Sequence, residues 1–326
     1  MAREQLGICA EPNLHGLVFL LNARDGYQST LRLQLAKMPM LIQRLSEQFS
    51  EANLTAVLAV GVNYWDTLYP SCRPNDFQPF PSVMLDEIKM PAAPSDLFLQ
   101  IRADRYDVLH LAAQQSYQLI QAYVDVAEQI HCFRYLDGRE LTGFIDQPDA
   151  PKGRRKKALA LIDQQQPELS GGSYLHYQRY RLDLSRWQQL TQQQQEAIMG
   201  RKKLDGTLLA MAQRLDNSHA NKAELVDAQG EPLPLLFQNM PFGQLKVQGL
   251  LCLGFSHCGT AYPQWLARRV GYPLGTLTAA ERSTSVLATA EHHAAEYDLL
   301  LDYTQADAGA VFFAPSISFI EQQAGI

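Results

Sequence analysis

Apolar side chains fall along this chain in two rhythms: short unbroken runs, and longer stretches in which they recur every three or four positions. The first rhythm predicts buried strands and the second amphipathic helices. By this reading GLVFLLNA (16–23) is a strand, followed by a helix over about 29–49. Two further strands are predicted at 54–65 and 96–104, then a helix over about 106–129 and a strand at 131–141. The order β-α-β-β-α-β is that of a ferredoxin-like unit.

The pattern partly returns. SYLHYQRYRLDL alternates like a strand, and TQQQQEAIMGRKK reads as a helix stopped by Gly200. GLLCLGFS (249–256) echoes the first strand, a helix over about 262–270 follows, and AVFFAPS (310–316) closes with a strand before proline. The expected fold class is α+β: two ferredoxin-like domains with antiparallel sheets, of the α+β barrel type. The division falls at the turn over 148–153, giving residues 1–150 and 151–326.

Composition narrows the function classes. A chain of 326 residues has room for about two domains, and 46% hydrophobic with 19% charged residues describes a packed globular protein. The net charge of −6 argues against a general nucleic-acid binder, whose footprint is basic. The one basic cluster, KGRRKK (152–157), reads as a solvated loop after a turn. No stretch approaches the ~18 apolar residues of a membrane span, and the first residues carry no apolar signal core. Five scattered cysteines (Cys9, Cys72, Cys132, Cys252, Cys258) without a CxxC pair form neither a disulfide framework nor a zinc site, so a cytoplasmic setting is expected. Among the eight histidines, His292 and His293 are adjacent on a predicted surface helix and cannot share one face of it.

Eight segments, in order, resemble those of the dye-decolourising (Dyp-type) haem peroxidases. They are GVNYWDTL (61–68), DLFLQIRADRYD (96–107), FRYLDGRELTGFID (133–146), GGSYLHYQRY (171–180), MGRKK (199–203), NSH (217–219), QNMPFG (238–243) and DLLLDYTQADAGAVFFAPS (298–316). The resemblance spans nearly the whole chain and implies two ferredoxin-like halves with haem b, one per chain, in the second. It further implies hydrogen peroxide and small organic reductants as substrates, and a homo-oligomer, a dimer or larger.

Carried residue by residue, the resemblance makes His219 the iron ligand and Asp146 the distal acid. Asn239 becomes a distal polar residue and Arg201 a cation near the haem propionates. The acid that orients His219 is Asp298, with Asp302 as the alternative, because an apparent insertion over 279–295 blurs that part of the match. Read without the resemblance, the same residues have plainer roles: His219 caps a loop, Arg201 is the cationic end of a helix, and Asp146 is a turn residue. Two departures from the family pattern stand out. Its aspartate is usually followed by Gly-Thr, where this chain has Gln147-Pro148, and its distal arginine falls on Phe237.

In such a site a histidine ligand, backed by a carboxylate, makes the iron electron-rich. Asp146 would take a proton from hydrogen peroxide and return it to the leaving oxygen. Phe237 makes the distal pocket drier and removes a cation, which raises the carboxyl pKa of Asp146. Two functions therefore stay open: a haem peroxidase, weakened by Phe237, or a protein that stores, senses or carries haem or a gas.

Overall fold

Strand β1 (His15–Ala23) turns alternate side chains to two different cores, as the period of a pleated strand requires. In the computed structural model, which describes residues 2–85, 88–163, 166–227, 229–271, 286–287 and 297–325, Val18 and Leu20 pack with Val57, Ala59, Phe98, Tyr177 and Leu253. Leu17, Phe19 and Leu21 pack on the other side, with Leu31 and Leu35 of α1 (Gln28–Gln48) and Leu109 and Ala112 of α3 (Tyr106–Ile120). One core fills the inside of a barrel; the other glues helices to its outer wall.

The first half contributes β1, β2 (Thr55–Gly61), β5 (Leu97–Ala103) and β6 (Val124–Phe133), with the short helix α2 (Trp65–Leu68) after β2. A hairpin of β3 (Ser82–Leu85) and β4 (Ile88–Met90) lies apart, with β11 (Val286–Leu287) parallel to β3. The second half opens with helix α4 (Arg154–Ala160) and strand β7 (Ser173–Leu182). Helices α5 (Leu184–Gln188), α6 (Gln192–Met199) and α7 (His219–Lys222) follow, then β8 (Leu236–Phe237), β9 (Met240–Gly243), β10 (Gln248–Ser256) and α8 (Ala261–Arg269). Strand β12 (Thr304–Ala314) and helix α9 (Ile317–Ala324) complete it.

Spatially the first half runs β6-β1-β5-β2 and the second β12-β7-β10-β9, the same order of fourth, first, third and second strand. All these pairings are antiparallel. The two sheets join edge to edge, Phe312 opposite Gly61 between β12 and β2 and Cys132 opposite Phe242 between β6 and β9. The result is a closed barrel, which leaves neither half with an open edge.

Local signals hold where the sequence placed them. Helix α6 starts in a capping box, Thr191 and Gln194 each bonding the other's backbone, and stops at Gly200 in the left-handed conformation (φ 69°). Two expectations are corrected. The helix expected over about 106–129 ends at Ile120, and Val124–Phe133 is a strand instead. The apolar spacing there reads as the end of an amphipathic helix, but Val124, Val126, Ile130 and Phe133 suit a strand and pair along the edge of β1. The KGRRKK cluster is no solvated loop: it forms most of α4, with Lys156 buried and paired to Glu11 at 2.7 Å. The apparent insertion over 279–295 lies almost wholly outside the described residues, as do His292 and His293.

Candidate haem site

Alternation along the strands of the second half decides which side chains reach a cavity of about 500 Å³. On β10, Leu251 and Leu253 fill the barrel while Leu250 and Cys252 line the cavity. On β7, Leu175 and Tyr177 point inward and Tyr180 and Leu182 outward into the same space. Between β8 and β9 the chain leaves regular pairing, yet the alternation persists. Gln238 donates from Nε2 to the Gly7 carbonyl at 3.1 Å, so Phe237 and Asn239 on either side of it face the cavity.

One cluster in the cavity wall surrounds His219, the first residue of α7. Its Nδ1 lies 2.8 Å from Oδ2 of Asp298, a side chain with no solvent exposure. The same oxygen accepts from Arg269 Nε at 2.7 Å, and Oδ1 accepts from the Leu300 backbone N–H at 3.0 Å. Burial alone would raise the Asp298 carboxyl, but His219, Arg269 and these hydrogen bonds outweigh it and hold it well below the usual carboxylate range. Asp302, the alternative from sequence, instead accepts from Tyr297 Oη at 2.7 Å. With Nδ1 engaged, the Nε2 of His219 is the ring nitrogen left for a ligand in the cavity.

A second cluster gathers on the turns after β6. Arg139 ties these turns to the loop after α6, donating to the carbonyls of Gly143 (2.9 Å) and Lys203 (2.7 Å). The Asp146 backbone N–H donates to the Gly138 carbonyl at 3.0 Å, and its Oδ1 accepts from Asn239 Nδ2 at 2.9 Å. Burial raises the Asp146 carboxyl; the hydrogen bonds from Asn239 and Gln147 offset only part of that. Gln147 sits at φ 45°, a left-handed conformation that glycine adopts without strain. This is where the resembled family usually has glycine.

The sequence reading missed three cavity residues. Glu140 lines the same space, and burial together with the neighbouring Asp146 pushes its carboxyl up to about 8. Its signal was available, because it falls within the FRYLDGRELTGFID segment. Arg269 looks in sequence like the cationic end of a helix. Arg214 lies in a loop with no motif at all, and no hydrogen bond from its guanidinium is found among the described residues; its Nε is buried without a partner. Arg201 reaches the cavity with its charge already engaged, donating to Asp149 (2.7 Å) and the Gly206 carbonyl (2.9 Å). Phe237 packs on Trp265 (ring centroids 4.7 Å) and Tyr262 (6.1 Å).

These residues fit a haem. The volume lies within the roughly 300–1,000 Å³ of cofactor pockets. A histidine offers one free nitrogen, Arg214 has a buried Nε without a partner and Arg201 lines the same space while paired to Asp149, and the Oδ1 of Asn239 is buried without a partner. Leu182, Met199, Leu225 and Leu250 supply apolar lining.

Comparison with known proteins agrees with this arrangement. Two family models match, Dyp-type peroxidase, N-terminal, over residues 27–134, and Dyp-type peroxidase, C-terminal, over residues 137–319. A dye-decolorizing peroxidase of Mycolicibacterium paratuberculosis is 28% identical over 308 residues, covering 94% of this chain and 81% of the relative. Among solved structures, a chain from Shewanella oneidensis assigned as a dyp-type peroxidase is 37% identical, with a TM-score of 0.89 and 99% of both chains covered. A DypB variant of Rhodococcus jostii RHA1 in complex with heme is 27% identical, with a TM-score of 0.83 and 96% of both chains covered. With well over half of its length matched by these models and its fold shared end to end, the chain belongs to the Dyp-type peroxidase family.

Proposed function

We propose that the cavity holds haem b, one per chain, with His219 Nε2 as iron ligand and Asp146 as the group that moves the peroxide proton. As a member of its family the chain is a haem peroxidase that uses hydrogen peroxide to oxidise organic reductants. The observation that carries the residue roles is the pairing of His219 with Asp298, which fixes one ring nitrogen and leaves the other for the cavity. The heme-bound relative from Rhodococcus jostii supports the choice of cofactor.

When bound, haem supplies the iron centre at which the peroxide bond is cleaved and from which oxidising equivalents leave. The chain supplies the rest. Asp298 orients His219 and keeps its Nδ1 protonated. Asn239 holds Oδ1 of Asp146 at 2.9 Å, and Oδ2, with only a long contact from Gln147 Nε2 at 3.4 Å, is the oxygen to accept a proton from peroxide and return it to the departing oxygen. A raised carboxyl suits that exchange, and Glu140 beside it, pushed up to about 8 by burial and by Asp146, adds a second group able to hold a proton near neutral pH. Arg201 and Arg214 take the acidic side groups of the cofactor. Phe237 offers no charge to bound peroxide, so the reaction runs without one preorganised donor. Haem carriage without peroxidase chemistry is the weaker reading, because a carrier has no use for the Asp146–Asn239 pair.

Three broader assignments accompany this reading. The chain divides into residues 1–150 and 151–326, it works as a homo-oligomer, and it works in the cytoplasm. The repeated strand order supports the first, and five unpaired cysteines support the last. Among the described residues no helix is long and apolar enough to cross a membrane.

The deciding experiment reconstitutes wild type and His219→Ala with haemin and compares their absorption spectra. The wild type should show a histidine-ligated Soret band that the variant lacks. An identical histidine-ligated spectrum in the variant would remove His219 from the iron.

A further inference from the structure

Arg269 has no part in the proton chemistry, yet it is among the most confined charges in the molecule. The last residue of α8, it is 4% exposed, and its guanidinium lies over the rings of Trp265 (5.1 Å) and Tyr180 (5.2 Å). Its Nε donates to Asp298 Oδ2 at 2.7 Å and one terminal nitrogen donates to Tyr180 Oη at 2.9 Å. Tyr180 Oη in turn donates to Gln178 Oε1 at 2.5 Å, and the same oxygen accepts from Tyr262 Oη at 2.7 Å. The guanidinium is thus clamped on both sides and at both ends.

The atom it reaches matters. Oδ2 of Asp298 is also the acceptor for His219 Nδ1. A carboxylate makes a histidine a stronger donor to metal by drawing its other ring proton away, and it does so in proportion to its residual negative charge. A guanidinium on that same oxygen neutralises much of the charge. In a dry site the effect is not screened.

We propose that Arg269 sets the ferric/ferrous balance of the holoenzyme, by sharing the carboxylate oxygen that receives His219 Nδ1–H and so limiting how strongly His219 donates to the iron. It is a positioning residue, acting through Asp298, whose Oδ2 it holds at 2.7 Å. The inference rests on His219 as the iron ligand, which the His219→Ala spectrum tests separately.

The test measures the ferric/ferrous midpoint potential and the ferrous iron–histidine stretching frequency in holoenzymes whose absorption spectra still show histidine ligation. Arg269→Gln removes the charge. It should favour the ferric state about tenfold, a fall of about 59 mV for one electron, and should raise the stretching frequency. In an Asp298→Asn background the same substitution should change neither quantity. A charge that merely held the fold together would leave both unmoved in the single variant. The proposal is overturned if Arg269→Gln keeps the wild-type potential. It is equally overturned if the shift survives in the Asp298→Asn background, because Arg269 would then act on the iron as a bare charge. Should Arg269→Gln fail to take up haem, Arg269→Lys replaces it. Lysine keeps the cation but loses the fork that spans Asp298 and Tyr180, and about a threefold shift in the same direction is expected. An unchanged potential in that variant overturns the proposal.

Discussion

Asp298 and Asp146 belong to the same cavity and are held in opposite states. Asp298 has no solvent exposure and is nevertheless ionised, because an imidazole, a guanidinium and a backbone N–H converge on its two oxygens. Asp146 is half-buried, and it is pushed toward its protonated form because its partners are amides. Glu140 adds a second carboxyl beside it, and neither carboxyl has a hydrogen bond from a cationic side chain among the described residues, though Arg269 and His219 act on them from farther off. Burial raises both aspartates alike, so it is the identity of the partners that separates them. One side of the site is built to hold a fixed charge, the other to give and take a proton.

The strongest way to break this contrast is to take the proton carrier away. Asp146→Asn should slow the reaction with peroxide by about 10²–10⁴, as the loss of a general acid–base group does, while haem affinity stays near wild type. Stopped-flow rates equal to wild type between about pH 4 and 7 would exclude Asp146 from the mechanism.

Asp298→Asn attacks the other side. It leaves Arg269 buried without a counter-charge, and breaking a buried pair from one side costs about 3–5 kcal/mol. Urea unfolding of the apoprotein should show that loss, whereas Asp146→Asn removes a poorly solvated carboxyl and should cost far less. Equal losses in the two variants would show that the clusters do not differ as described.

Phe237→Arg makes the second side resemble the first. A cation near Asp146 favours its ionised form, so the working range should extend to lower pH and cyanide should bind more tightly. The peroxide rate could rise by as much as about 10²–10³, less whatever is lost with the packing on Trp265. A variant that folds and binds haem with neither quantity increased would mean that position 237 does not face the bound peroxide.

The smallest effect is a slope. The folded chain holds the Glu140 proton more tightly than the unfolded chain does, its carboxyl rising from 4.5 to about 8. Between those values the native state binds more protons, so this group's contribution to stability is greatest at the acid end and falls as pH rises. Denaturation midpoints followed across that window should fall less steeply in Glu140→Gln than in wild type. Parallel curves would show that Glu140 titrates normally.

Much of this protein is written in its sequence. Short apolar runs mark β1, β10 and β12, alternation marks β7, and Gly200 stops α6, because these signals depend on neighbours one to four positions away. The ordered motifs also name the family and bring His219, Asp146, Asn239, Arg201 and Phe237 to one cavity. Tertiary structure decided the rest. Val124–Phe133 became a strand because β1 offered an edge, where apolar spacing alone reads as helix. His219 met Asp298 across 79 positions, Asp146 met Asn239 across 93, and Arg269 joined Asp298 across 29. Whether a carboxyl is charged depends on what surrounds it in space, and sequence lists a chain's charges without saying which of them will touch.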